Sequence, residues 1–229
     1  MVTYIVRTWL PDRPGALGAV ASRVGAVRGD VVGIDILERD GGQAVDELVV
    51  ELPDEGLVEL LVAEMSEVDG VKIESVALVE EGVHDPRLDA LETAAQLVGA
   101  SDPLELEDHL CTHAGRTLGA AWVALVDVDA IELRSATGAA PDAPWLAAFV
   151  RGSQAATQLA GPDGIEHSAD DVAWAPLPAA DLVLVAGRSA GPRFRARERR
   201  QLAALARIAD TRLRELVRLR SRQSHPANG

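Results

Sequence analysis

Within the first eighty residues the hydrophobic pattern changes period four times, and that succession leaves few folds open. "TYIVRTWL" (3–10) is rich in β-branched and aromatic residues and reads as a strand. Leu17, Val20, Val24 and Val27 then recur at helical spacing on one face, until Gly29 stops the run. "DVVGIDILER" (30–39) and "AVDELVVEL" (44–52) are two further strands across the turn-forming Gly41-Gly42. Pro53 and Asp54 open a second helix, with Leu57, Leu60, Leu61, Met65 and Val68 on one side, and Asp69-Gly70 end it. "VKIESVALVE" (71–80) alternates apolar and polar residues as a fourth strand. The order β-α-β-β-α-β predicts a ferredoxin-like unit, four antiparallel strands with both helices on one face.

Between the first strand and the first helix lies "LPDRPGALGAV" (10–20), a rigid corner. Pro14 suits the first helical position, where its missing N–H is no loss. The N–H groups of Gly15, Ala16 and Leu17 then lack partners within the helix. They lie at the positive end of the helix dipole and form a small anion site. Gly15 lets another molecule approach the backbone. Asp12 either caps the helix, with Arg13 solvated, or receives an ammonium group. Donors for a carboxylate beside a carboxylate for an amine suit a free α-amino acid.

The first strand, Asp12-Arg13-Pro14-Gly15-x-Leu17, the amphipathic helix and the strand reading "VVGIDI" together resemble an ACT domain over about residues 2–80. The resemblance implies a regulatory module that binds amino acids and pairs or stacks with other copies. It places the ligand where one copy's corner meets a neighbour's strand. The ligand contacts it implies are Asp12, Arg13, Pro14, Gly15, Ala16 and Leu17 at the corner, and Gly33, Ile34 and Asp35 in the strand. Asp35, in an otherwise apolar strand, either finds such a partner or lies on the strand's exposed side.

"EEGVHDPRLD" (80–89) has charge, Gly and Pro without periodicity. It divides a domain at 1–81 from one at 88–222, with the linker at 82–87 and a disordered tail at 223–229. Leu88, Leu91, Ala95 and Val98 mark a helix, and 102–118 a second. Strands follow at 120–129 and 130–138, a helix at 144–159, and strands at 171–178 and 180–188. A long helix closes the chain at 194–220, with Leu202, Leu205, Ala209, Leu213 and Leu216 facing one way. The class is α+β, with an antiparallel sheet flanked by helices in this second part. "LVLVAGRSAGPRFRARERRQLAALARIAD" resembles the end of a GAF domain, and the match extends over about 88–220. Its middle departs most where such domains form their pocket, so the resemblance assigns it no ligand. It has neither a chromophore-attachment cysteine in a suitable context nor the charged motif of cyclic-nucleotide binders.

The remaining features mostly exclude. No secretory leader, no uninterrupted apolar span and a single cysteine, Cys111, lead us to expect a cytoplasmic protein. His109 and His113 share a helix face, but no third metal ligand is evident. Asp127 and Asp129 share a strand face, or simply form the strand-end turn. There is no phosphate-binding Gly-Lys loop, Rossmann fingerprint or nucleophile elbow. No catalytic residue, cofactor or metal is therefore expected.

Net charge is −14, yet residues 193–229 carry eleven arginines against three acidic residues. An acidic body repels nucleic acid beyond the tail's reach, so the arginines are expected to lie against acidic protein surface. The exposed edges of the first sheet and the apolar stripe of the last helix predict a homodimer or larger homo-oligomer. The expectation is a non-catalytic sensor of a free amino acid, whose second module relays the signal or stabilises the assembly. The alternatives are a ligand-free dimerisation protein and the regulatory subunit of a biosynthetic enzyme.

Overall fold

The structure is a computed structural model that describes residues 1–79, 86–160, 171–189 and 191–224. Residues 80–81, 82–85 of the expected linker and 225–229 of the expected tail lie outside the described residues, while 86–87 and 223–224 are helical. It is a mixed α+β chain with two four-stranded antiparallel sheets and, among the described residues, six α-helices. Contacts divide it into two units, Met1–Asp85 with Arg195–Arg197, and Pro86–Phe194 with Glu198–Gly229.

The first unit runs β1 (Val2–Pro11), α1 (Ala16–Ala26), β2 (Asp30–Asp40), β3 (Gln43–Leu52), a 3-10 turn (Glu55–Leu57), α2 (Val58–Ser66) and β4 (Lys72–Val79). The strands stand in the order β2-β3-β1-β4. Alternation along β1 turns Tyr4, Val6 and Leu10 toward one side. There they pack with Val20 and Val24 of α1, Leu61 and Met65 of α2, and Leu48, Val50 and Leu52 of β3. Full burial of such a side chain contributes about 1.5–3 kcal/mol, so this one apolar layer is what orders the unit. Two expectations are corrected at this level. Leu60 points to solvent while Leu61 and Met65 carry the α2 contact. Pro14 is not the first helical residue; it lies in the turn before α1, whose N-cap is Gly15.

β2 is an edge strand and it is irregular. Its register against β3 slips between Val31 and Gly33 and again between Ile36 and Glu38. A Cβ at Gly33 would come within 3.1 Å of Val49 Cγ2, so glycine here serves close packing of the two strands. Val32, Ile34 and Ile36 are 46%, 39% and 40% exposed. The two helices leave that end of the layer uncovered.

The second unit runs α3 (Pro86–Gly99), α4 (Pro103–Leu118), β5 (Trp122–Asp127), β6 (Glu132–Gly138), α5 (Ala143–Ala160), β7 (Val172–Leu177), β8 (Leu182–Gly187) and α6 (Ala196–Ser224). Its strand order is β6-β5-β8-β7. The two central strands are buried on both faces, which is why β8 reads as the unbroken apolar run "LVLVAG". Val123, Leu125, Leu184 and Ala186 face a core with Leu97, Leu106, Leu110 and the Leu202–Leu216 side of α6. Trp122, Ala124, Val126, Val183 and Val185 face Leu146 and Val150 of α5.

Two expectations fail here for one reason. The leucines of α6, from which chain pairing was expected, are spent on this unit's own core. On α3, Thr93, Leu97 and Ala100 turn inward, whereas Leu88, Leu91, Ala95 and Val98 face out, Leu91 at 68% exposure. Both stripes have sound helical spacing. Periodicity fixes which residues share a face, but not what that face meets.

Candidate functional site

The corner is held by backbone rather than side chains. The N–H of Asp12 donates to the Gly42 carbonyl at 2.9 Å, tying the corner to the β2–β3 turn. Arg13 N–H donates to Pro11 O at 2.8 Å, and Ala16 N–H to Arg13 O at 3.3 Å. Gly15 sits at φ 89°, in the left-handed region that favours glycine. A Cβ there would meet nothing within 4 Å, so conformation and not crowding is what asks for glycine. No side chain caps α1. Of the N–H groups expected to lack partners, that of Ala16 is taken by Arg13 O, and no side chain neutralises the partial positive charge of this helix start.

Of the corner residues, Asp12, Arg13, Pro14 and Gly15 are exposed, Ala16 is buried and Leu17 is half-buried. Asp12 does not cap the helix; its carboxylate lies 3.8 Å from Arg39 Nε, on the last turnward stretch of β2. The strand residues are not brought to this corner within one chain. Register across β3 sets Ile34 opposite Leu48 and Val6, five residues before Pro11, while Arg39 is level with Leu10. At about 3.3 Å per residue, Gly33, Ile34 and Asp35 lie well over 10 Å back along the sheet. Asp35 is half-buried and ion-paired with Arg197, one of the three residues that cluster with this unit.

Asp46 is the residue that sequence reasoning missed. It lies on β3 between Ala44 and Leu48 at strand spacing, so its side chain takes the helix-covered face. It is 3% exposed, and its Oδ1 has no hydrogen-bond partner among the described residues. Burial pushes its pKa up, the nearby Arg39 guanidinium opposes that shift, and the Asp12 carboxylate adds to it. The signal was present in "AVDELVVEL": strict alternation puts Ala44, Asp46, Leu48 and Val50 on one side.

The second unit's candidates are structural. Asp127 closes a turn, accepting from the N–H groups of Asp129 at 3.0 Å and Ala130 at 2.8 Å. Asp129 lies beyond the strand, so the two do not share a strand face. His109 and His113 meet edge to face at 5.8 Å between ring centroids. Burial lowers the His113 pKa, with His109 and Arg116 adding to the shift. Among the described residues no group of three or more His, Cys, Asp or Glu is placed to hold a metal. Cys111 is buried and its thiol is pushed up to about 11 by burial, the opposite of an activated nucleophile. Arg188 is a buried hub. It donates to the carbonyls of Leu118 at 2.6 Å, Gly119 at 3.3 Å and Pro192 at 2.8 Å, pairs with Glu198 at 2.5 Å, and covers the Phe194 ring at 4.1 Å. It thereby satisfies carbonyls at the end of α4, which is bounded by the left-handed Gly119. Among the described residues no helix is long and apolar enough to cross a membrane.

No family model matches the sequence, and no curated protein does. Among solved structures, an unknown protein from Galdieria sulphuraria is 14% identical, with a TM-score of 0.31 over 41% of this chain and 63% of that one. A formyltetrahydrofolate deformylase from Pseudomonas putida KT2440 is 21% identical, with a TM-score of 0.26 over 42% of this chain and 38% of that one. The chain spans less than two thirds of either. Neither likeness bears on what this chain does.

Proposed function

We propose that the chain is a non-catalytic regulatory protein whose first unit, an ACT-like module, binds a free amino acid. The observation that carries this reading is the start of α1, which no side chain caps, exposed at Gly15 and preceded by the exposed Asp12. The ligand carboxylate accepts from the first-turn N–H groups, where the helix dipole favours an anion. Its ammonium is met by a carboxylate. Gly33, Ile34 and Asp35, set back along β2, complete the site from a second copy paired through the β2 edge. Exposed Val32, Ile34 and Ile36 on that irregular edge suit such pairing. The second unit, a GAF-like module, relays the signal or holds the assembly together.

The same apolar edge favours a second reading, in which the first unit only pairs chains and binds nothing. A thermal-shift screen of the full chain against the twenty amino acids separates the two. A ligand at a hundredfold its Kd stabilises the folded state by about 2.7 kcal/mol, so one or a few amino acids should raise the Tm. The carboxamide of any amino acid that does so should fail. No shift from any of them at millimolar concentration leaves the pairing reading standing.

A further inference from the structure

Asp46 is a carboxylate almost wholly out of water, with one oxygen that nothing in the described chain satisfies. Its register neighbours cannot help. Thr8 stands opposite on β1, but its hydroxyl already serves the Trp9 carbonyl at 3.2 Å and the Lys72 carbonyl at 3.1 Å. Ile36 stands opposite on β2 and has nothing to donate. Arg39 acts on Asp46 only through space, and leaving a buried carboxylate oxygen without a donor is costly, so the position calls for a cationic donor to Oδ1 that no described residue supplies.

The surroundings say where that cation enters. The two charges that act on Asp46 are Arg39 and Asp12. Asp12 belongs to the corner and Arg39, 3.8 Å from it, to the end of β2, and Asp12 is tied by its N–H to the turn that starts β3. Ala44, on the same strand face as Asp46, is buried in one cluster with Leu10 and with Ala16, the first residue of α1. Asp46 therefore lies on the side of the sheet from which the uncapped helix rises. Asp12, nominated by the sequence to hold an amine, is instead exposed and occupied with Arg39.

We infer that Asp46, and not Asp12, is the residue that receives the α-ammonium group of the bound amino acid, under a carboxylate held by the first turn of α1. This rests on the amino-acid reading above and adds the group that recognises the amine. The pairing is one charge-assisted hydrogen bond to the unpartnered Oδ1, formed in a site of low dielectric. It selects α-amino acids over α-hydroxy acids of the same side chain.

The test uses the full chain, the amino acid that gives the largest thermal shift, and the α-hydroxy acid of the same side chain. Wild type should bind the amino acid at least tenfold more tightly than the hydroxy acid. In Asp46→Asn that preference should collapse to within about twofold, while the unliganded Tm stays at or above the wild-type value because a buried anion has gone. Asp12→Asn should keep the preference. If Asp46→Asn proves unable to fold, Asp12→Asn decides: a kept preference supports the assignment, and a preference lost there overturns it. Equal binding of the two ligands by wild type, or an unchanged preference in Asp46→Asn, overturns the assignment while leaving amino-acid binding intact. Failure of every amino acid to bind wild type removes both.

Discussion

Asp46 and Glu107 are both carboxylates withdrawn from water, and in both the pKa is raised chiefly by burial. Glu107 Oε1 pairs with Arg134 at 3.1 Å, while Glu107 Oε2, like Asp46 Oδ1, has no hydrogen-bond partner among the described residues. For Asp46 the sign of the linkage is definite. Its folded pKa lies above its unfolded value of about 3.9, so the folded state holds the proton more tightly. The stability this gives is complete below the unfolded value and is lost as pH rises through the folded one. Asp46→Asn should accordingly be more stable than wild type near neutral pH. The gap, measured by urea unfolding, should close as the pH falls toward about 4. A gap that widens on acidification would mean that Asp46 is stabilised as an anion in the unliganded protein. Asp12→Ala should change unliganded stability by less than about 1 kcal/mol, since it removes only an exposed pair and no helix cap. Legibility differs between these two residues for a physical reason. Asp12 stands in a quotable motif, whereas Asp46 is marked only by its parity with Ala44 and Leu48, which needs the strand and its covered face to be known first.

Elements were read well where one face meets water and the other the core, as in β1, α1 and β4. Reading was poorer where a helix has a choice of partners. On α3 the visible stripe of Leu88, Leu91, Ala95 and Val98 faces out, because Leu97 and Ala100 are the residues that reach the sheet's core. On α6 the stripe is real, but it meets the chain's own β5 and β8 side chains. Leu213→Glu should therefore unfold the second unit rather than separate chains, and circular dichroism at rising temperature will tell these apart. Arg188 lay inside a recognisable run, yet no spacing rule shows that one guanidinium satisfies four carbonyls and a buried glutamate. Arg188→Ala removes the buried pair with Glu198 and the donors to these carbonyls and should cost about 3–5 kcal/mol by chemical unfolding. Arg188→Lys should rescue little of it, since an ammonium cannot reproduce the planar fork. At the corner, Gly15→Ala forces a side chain into φ 89° and should cost about 1–3 kcal/mol.

At the scale of the molecule, two units carry separate apolar cores, and what each leaves uncovered differs. The first leaves the β2 edge with Val32, Ile34 and Ile36, the second the outer face of α3. If copies pair through β2 as proposed, the site is a property of two copies, and Ile34→Lys should weaken self-association at least tenfold without lowering the unfolding temperature. Light scattering on the full chain checks this, and an unchanged mass would place the contact elsewhere. The order β-α-β-β-α-β was legible because each change of period is local. That Gly33, Ile34 and Asp35 lie far along the sheet from their own corner was not, because it depends on the register of β2 against β3 and β1.

The most direct measurement is isothermal titration calorimetry of the full chain with each of the twenty amino acids near neutral pH. Saturable binding by one or a few, at one ligand per chain and lost with the carboxamide, is the expected result. A folded chain that takes up none of them at millimolar concentration would contradict the account.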